Sequence, residues 1–265
     1  MDSAITKPKL SNELRTKNRR QRVPVASFRV LYPSYELRLL IGYSLFFIAL
    51  SAVTGQLILH WPRPLLGSTD FLLDFWYFLF FKILFLLVVP GFVFWRLGYR
   101  FQDLIPGGLT RRDWLWSAVA YSVGFAINLA HMDAIRKAHV PGVPWRIALA
   151  VAIALFNAGI PEEFVFRGWM QTRMEQRYGR LIAVTGTALL FTAWHIPSRY
   201  FLAFGEEGKA GDLGSVLLGT GVPVLIVALI LGVLWDRYRR LLPLIALHWG
   251  IDTLPLIAGL LNAQS

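Results

Sequence analysis

The sequence predicts an all-α fold: a polytopic bundle of about seven transmembrane helices with a polar site in its core. Apolar residues make up 55% of the chain and charged residues 16%, with a mean hydropathy of +0.51, a balance that suits a bilayer better than a soluble core. A spanning helix needs about 20 mostly apolar residues, and about seven stretches of the 265-residue chain supply them. Clusters of Pro and Gly separate several of these stretches, as turns between helices require.

Residues 1–38 form a basic arm ahead of any apolar run. Nine of the 27 basic residues lie there: Lys7, Lys9, Arg15, Lys17, Arg19, Arg20, Arg22, Arg29 and Arg38. Such an arm before a first span faces the cytoplasm and touches anionic head groups, so the formal charge of +11 reads as membrane-directed and nucleic acid is not an expected partner. The remainder, 39–265, reads as one transmembrane domain. Its first apolar run, 39–60, lacks a small-residue cleavage site and reads as a retained anchor.

The second and third segments, 72–97 and 113–134, follow turns at Pro62, Pro64 and Gly67 and at Pro106, Gly107 and Gly108. Segment 145–170 follows Pro141, Gly142 and Pro144, and 181–203 follows a basic helix end closed by Gly179. The last two, 215–235 and 241–261, are preceded by Gly205, Gly208 and Gly211 and by Arg237, Arg239 and Arg240. Basic-rich and basic-poor connections alternate except at Arg136, Lys137 and Arg146, which places the N-terminus inside and the C-terminus outside. The expected location is a plasma membrane, the inner membrane of a bacterium. Tryptophans near span ends, among them Trp61, Trp145 and Trp235, read as interfacial anchors.

The chain has no cysteine, which removes disulfides, thiolate nucleophiles and palmitoylation. Its ionisable residues within spans are costly and therefore informative: each Asp, Lys or Arg at a helix centre costs about 2.5–3.5 kcal/mol on insertion scales. Glu162-Glu163-Phe164-Val165-Phe166-Arg167 concentrates three of them. Successive helical residues are about 100° apart, so Glu163 and Arg167 can pair at i, i+4 while Glu162 points elsewhere, into a polar cavity. Gly159, Ile160 and Pro161 favour a kink just before it. A buried ion triad that only holds helices together is the alternative reading.

Two further spans carry histidine. Phe191 lies one turn before His195 and can buttress its ring, and His248 and Asp252 share a face at i, i+4. Either histidine alone reads as a hydrogen-bonded packing residue. Depth argues for more: Glu162, His248, Asp252 and His195 lie about 8, 7, 11 and 14 residues from the inner ends of their helices, or roughly 10–20 Å. Four polar side chains from three helices can therefore meet in the bundle core. Asn157 shares the Glu162 span and either lines that cavity or bonds a carbonyl. Asp74 and Lys82 read as a structural or snorkelling pair, and Asn128, His131 and Asp133 as solvated groups at an outer helix end.

Taken in order, Glu162-Glu163-x-x-x-Arg167-Gly168, Phe191-x-x-x-His195 and His248-x-x-x-Asp252 resemble the CPBP family of intramembrane glutamic endopeptidases, also called Abi. That family includes CAAX prenyl endopeptidases and bacterial bacteriocin-processing or immunity proteins. The resemblance covers about residues 145–255. It implies that Glu162 and His195 activate a water for attack on a scissile carbonyl, with His248 and the residue at Asp252 stabilising the oxyanion. Glu163, Arg167 and Phe191 would be supporting residues. A carboxylate in a low-dielectric cavity is a better base than one in water, and an oxyanion needs preorganised donors. The family's pattern allows Asn or Asp at the last position; an ionised Asp accepts but cannot donate, so Asp252 either is protonated or orients His248.

The partners implied are the bilayer and a membrane-associated or lipidated peptide, with no cofactor and no metal. Two rivals remain at this level. The same His and carboxylate residues could hold a divalent ion in a metal-dependent protease, although no HExxH occurs. They could also serve a non-enzymatic transporter, immunity protein or scaffold.

Overall fold

The computed structural model describes residues 31–60, 77–105, 108–137, 143–203 and 205–262. The basic arm up to residue 30, Trp61 and Asp74 lie outside the described residues, as does the Lys82 side chain. All regular structure among the described residues is helical. The chain runs through α1 (Pro33–His60), then α2, which is π-wound over Tyr77–Val88 and α-helical over Val89–Arg96. Next come α3 (Arg111–Ile127) and α4 (His131–Lys137). A long rod, α5, is built from Val143–Ile153, Ala154–Gly159, Ile160–Glu162, Glu163–Gln171 and Thr172–Tyr178, the second and fourth of these pieces being π-wound. Helix α6 is Arg180–Leu202; α7 comprises Leu213–Val216, a π-wound Leu217–Gly221 and Val222–Tyr238; α8 is Leu241–Asn262.

Five of these helices are long and apolar enough to cross a membrane, and α3 with α4 would make a sixth, bent by 75°. The bend falls inside the expected segment 113–134, where Asn128-Leu129-Ala130 interrupts the helix. Segment 72–97 is described only from Tyr77, and its apolar helix Ile83–Arg96 is shorter than a full span. Helix α1 begins at Pro33, so the last residues of the expected arm are already helical. The Gly179 stop is present: its φ of 81° ends α5, and its amide bonds the Glu175 carbonyl at 3.0 Å.

At Gly159-Ile160-Pro161, where the sequence favours a kink, the backbone is widely wound. The Ile160 amide donates to the Leu155 carbonyl, five residues back, and Pro161 follows at the start of the next α-helical turn. A π-turn absorbs the extra residue while the rod continues, and such turns recur at functional sites.

Helix α8 packs along α3 at a seam of two glycines. A Cβ built on Gly250 would lie 2.3 Å from the Tyr121 carbonyl oxygen, and one on Gly124 2.3 Å from that of Leu247. In bilayer interiors small residues allow such close backbone approach, and dispersion across the seam holds the pair. Asn128 Nδ2 adds a 2.7 Å hydrogen bond to the Ile251 carbonyl. Asn128 is thus a tether between helices and not the solvated group expected from sequence. Trp235 also departs from expectation. It is fully buried, not interfacial, with Nε1 3.3 Å from Thr172 Oγ1 and the Arg239 guanidinium over its ring.

A second lock joins α1 to the far end of α5. Glu36 is fully buried, and its Oε2 accepts from Arg173 Nε at 2.6 Å and Trp169 Nε1 at 2.9 Å. Its Oε1 accepts from the Tyr32 amide at 3.0 Å and from the Tyr99 hydroxyl. Four donors surround one carboxylate, two to each oxygen, so its single charge and its lone pairs are answered. Removing one partner of a buried pair strands the other charge. Glu36→Ala is therefore expected to destabilise the protein by about 3–5 kcal/mol, read as a fall in the thermal midpoint in detergent. An unchanged midpoint would show that Arg173 finds another counter-charge.

Candidate active site

The expected residues come from α5, α6 and α8. The wide turn beginning at Glu163 and the α-turn ending at Glu162 present both carboxylates to the His248 ring of α8. His248 Nδ1 lies 2.8 Å from Glu163 Oε1, and Nε2 lies 3.8 Å from Glu162 Oε2 and 3.6 Å from Asp252 Oδ2. Only the first is a hydrogen-bond distance. Glu163 is thus the carboxylate in hydrogen-bond contact with the imidazole, and Asp252 stands 3.6 Å from its other nitrogen. With Nδ1–H donating to Glu163, Nε2 is the nitrogen presented to Glu162 and Asp252.

The expected Glu163–Arg167 pair forms at 3.4 Å, buried on both sides. It is one part of a chain Arg167–Glu163–His248, so Glu163 has two partners where sequence spacing assigned one. Sequence spacing also separated Glu162 from Glu163 by a full 100° step and sent them to different surroundings. Both face one histidine because a side chain reaching across from another helix bridges such an angle.

Phe191 holds the third element. Its ring is 4.7 Å from the His195 ring and 6.1 Å from that of His248, and the Arg167 guanidinium lies 4.6 Å over it. The buttress expected beside His195 is present. His195 Nδ1 is 2.9 Å from the Phe191 carbonyl oxygen, so the neutral ring donates there and keeps Nε2 as its acceptor. Glu162, Glu163, Arg167 and His248 are buried, whereas the Asp252 side chain is 31% exposed and His195 is half-buried. A closed, charged interior with His195 and Asp252 at its accessible margin can carry out proton transfer away from bulk water. Among the described residues, no group of three or more His, Cys, Asp or Glu is arranged to hold a metal ion.

Sequence reasoning missed the supports. Glu36 was part of a basic arm, and its partner Arg173 lies 137 positions away. The Gly124–Gly250 seam leaves no local signature beyond two glycines in apolar helices.

An all-helical, bilayer-crossing bundle with paired carboxylates and a histidine buried in its core defines a class: membrane-embedded proteins with an internal acid–base site. Residues 144–254 match the family model described as Type II CAAX prenyl endopeptidase Rce1-like. That segment, which contains every residue of the site, matches the CPBP, or CAAX protease, family that its three motifs resemble. At family level it is an intramembrane endopeptidase. Neither a curated protein nor a solved structure gives a significant match to the chain.

Proposed function

We propose that the protein is a glutamic intramembrane endopeptidase that cuts a lipidated or membrane-associated peptide by means of a water activated by Glu162 and His195. The observation that carries this reading is the buried His248 ring set between Glu162 and Glu163, with Arg167 behind Glu163. Glu162 takes a proton from water as the water oxygen bonds to the scissile carbonyl carbon, and His195 shares and passes on that proton. The carbonyl π-electrons move to oxygen. His248, as the imidazolium held by Glu163, donates from Nε2 to that oxyanion, and Asp252 balances the charge of the ring. Collapse of the intermediate breaks the C–N bond, and the leaving nitrogen takes the proton that water gave up. The products are one carboxylic acid and one amine.

The bilayer supplies the route for the substrate, and the family's description makes a prenylated peptide ending in a CAAX-type tail the first candidate. The basic arm would lie on the cytoplasmic side of what we take to be a bacterial inner membrane. The decisive experiment compares membrane peptides from cells carrying wild type and Glu162→Ala by mass spectrometry. A peptide that accumulates uncut only in the variant identifies the substrate. Identical peptide profiles, with the variant inserted at normal levels, would favour a binding or transport role.

Because the mechanism asks nothing of a metal, cleavage by the purified protein is expected to persist in excess strong chelator, to within about twofold. Loss of cleavage restored specifically by zinc would replace the glutamate mechanism with a metal-dependent one.

A further inference from the structure

Asn157 lies in the first π-wound piece of α5, about one turn before Glu162, and is 2% exposed. Neither Nδ2 nor Oδ1 has a hydrogen-bond partner among the described residues. Its place along the rod is fixed by Trp249, the neighbour of His248. Trp249 Nε1 donates to the Val151 carbonyl at 2.9 Å, and a Cβ on Gly159 would lie 3.4 Å from Trp249 Cβ. Asn157 therefore sits on the stretch of α5 that faces the site segment of α8, among the small buried residues Ala154, Ala158 and Gly159. Pro161 has no N–H to return to a carbonyl one turn back, at Phe156 or Asn157, which makes this turn richer still in main-chain and side-chain polar groups.

An orphaned amide costs stability, and nearly all buried polar groups in folded proteins have partners. A carboxamide carries one donor group and one acceptor, the complement of a peptide bond. Glu162 is as closed as Asn157, at 1% exposed. A peptide lying along α5 to reach Glu162 would pass Asn157, five residues before it.

We propose that Asn157 is a substrate-binding residue whose carboxamide pairs with a main-chain amide of the peptide being cut. Nδ2 donates to a substrate carbonyl and Oδ1 accepts from a substrate N–H, holding the chain extended along α5 as the scissile carbonyl reaches Glu162. This rests on the endopeptidase reading above and adds the residue that selects an unmodified peptide backbone next to the cut.

The test uses the full chain in proteoliposomes and a quenched fluorescent peptide with a farnesylated cysteine followed by three residues. Its backbone amides are N-methylated one at a time. Asn157→Leu, close in shape and without polar atoms, is expected to melt at or above the wild-type temperature and to lose about tenfold in kcat/KM. One N-methyl position is expected to impair wild type and leave Asn157→Leu unaffected. Wild-type kcat/KM in Asn157→Leu would overturn the proposal, as would equal N-methyl sensitivity of the two proteins at every position. A lower melting temperature, which reads out even if the probe is not cut, would assign Asn157 a structural partner and overturn it too. Glu162→Gln cutting the probe as fast as wild type would instead sink the glutamate reading, an outcome distinct from these.

Discussion

Glu162→Gln is expected to lower kcat/KM by about 10²–10⁴-fold while the protein inserts and melts as wild type does. Gln keeps the shape of Glu, but its amide cannot take a proton from water at neutral pH. Glu162 lies 3.8 Å from His248 Nε2, beyond hydrogen-bond range, whereas the short contact that orients the ring belongs to Glu163. The ring should therefore stay in place when Glu162 loses its charge. Steady-state cleavage of a defined peptide, with the thermal midpoint measured on the same preparation, separates the two effects. Retention of wild-type cleavage would show that the base lies elsewhere.

The second large effect is expected from Gly250. A Cβ there would lie 2.3 Å from the Tyr121 carbonyl oxygen and 2.8 Å from the Phe125 nitrogen, both of them backbone atoms that no rotamer change can remove. Helix α8 must shift away from α3 to accommodate even Ala, by about 1 Å, and His248 and Asp252 ride on that helix two residues to either side. Displacements of about 1 Å at reacting groups cost about 10²-fold in rate. Gly250→Val should therefore reduce kcat/KM at least that far and lower the thermal midpoint. Gly91→Ala, where nothing lies within 4 Å of the added carbon, serves as the control. Wild-type cleavage by Gly250→Val would mean that α8 tolerates a change of depth without moving His248 relative to Glu162 and Glu163.

The helical class was legible because bilayer solvation demands long apolar runs, and the runs at 145–170, 181–203, 215–235 and 241–261 each correspond to a helix. The Glu163–Arg167 pair and the Phe191–His195 contact were legible because both are neighbours on one helix. What crosses between helices was not. Spacing along α5 allotted Glu163 to Arg167 alone, and only the approach of α8 brings His248 between Glu163 and Glu162. Trp235 reads the same at a span end whether it faces head groups or a core, and the neighbour that decides, Thr172, is 63 positions away. The wide turns of α5 escaped because Gly159 and Pro161 signal a break without saying how the backbone resolves it. Asn128 looked solvated because it sits where α3 ends, and its bond to Ile251 spans 123 positions.

The Glu36 lock bears on where the functional unit begins. The family match starts at residue 144, and all of the site residues lie within it. Arg173, however, spends its charge on a carboxylate supplied by the first helix, and Trp169 gives its indole N–H to the same group. A fragment cut at residue 144 would lose the buried Glu36 carboxylate that Arg173 and Trp169 share, and the aromatic face that Trp169 and Phe164 present to Phe94 would be stripped. The matched segment is thus not a detachable module. Transplanting it or expressing it alone would require the α1 helix, with Phe94 and Tyr99 at the end of α2, to be provided in trans.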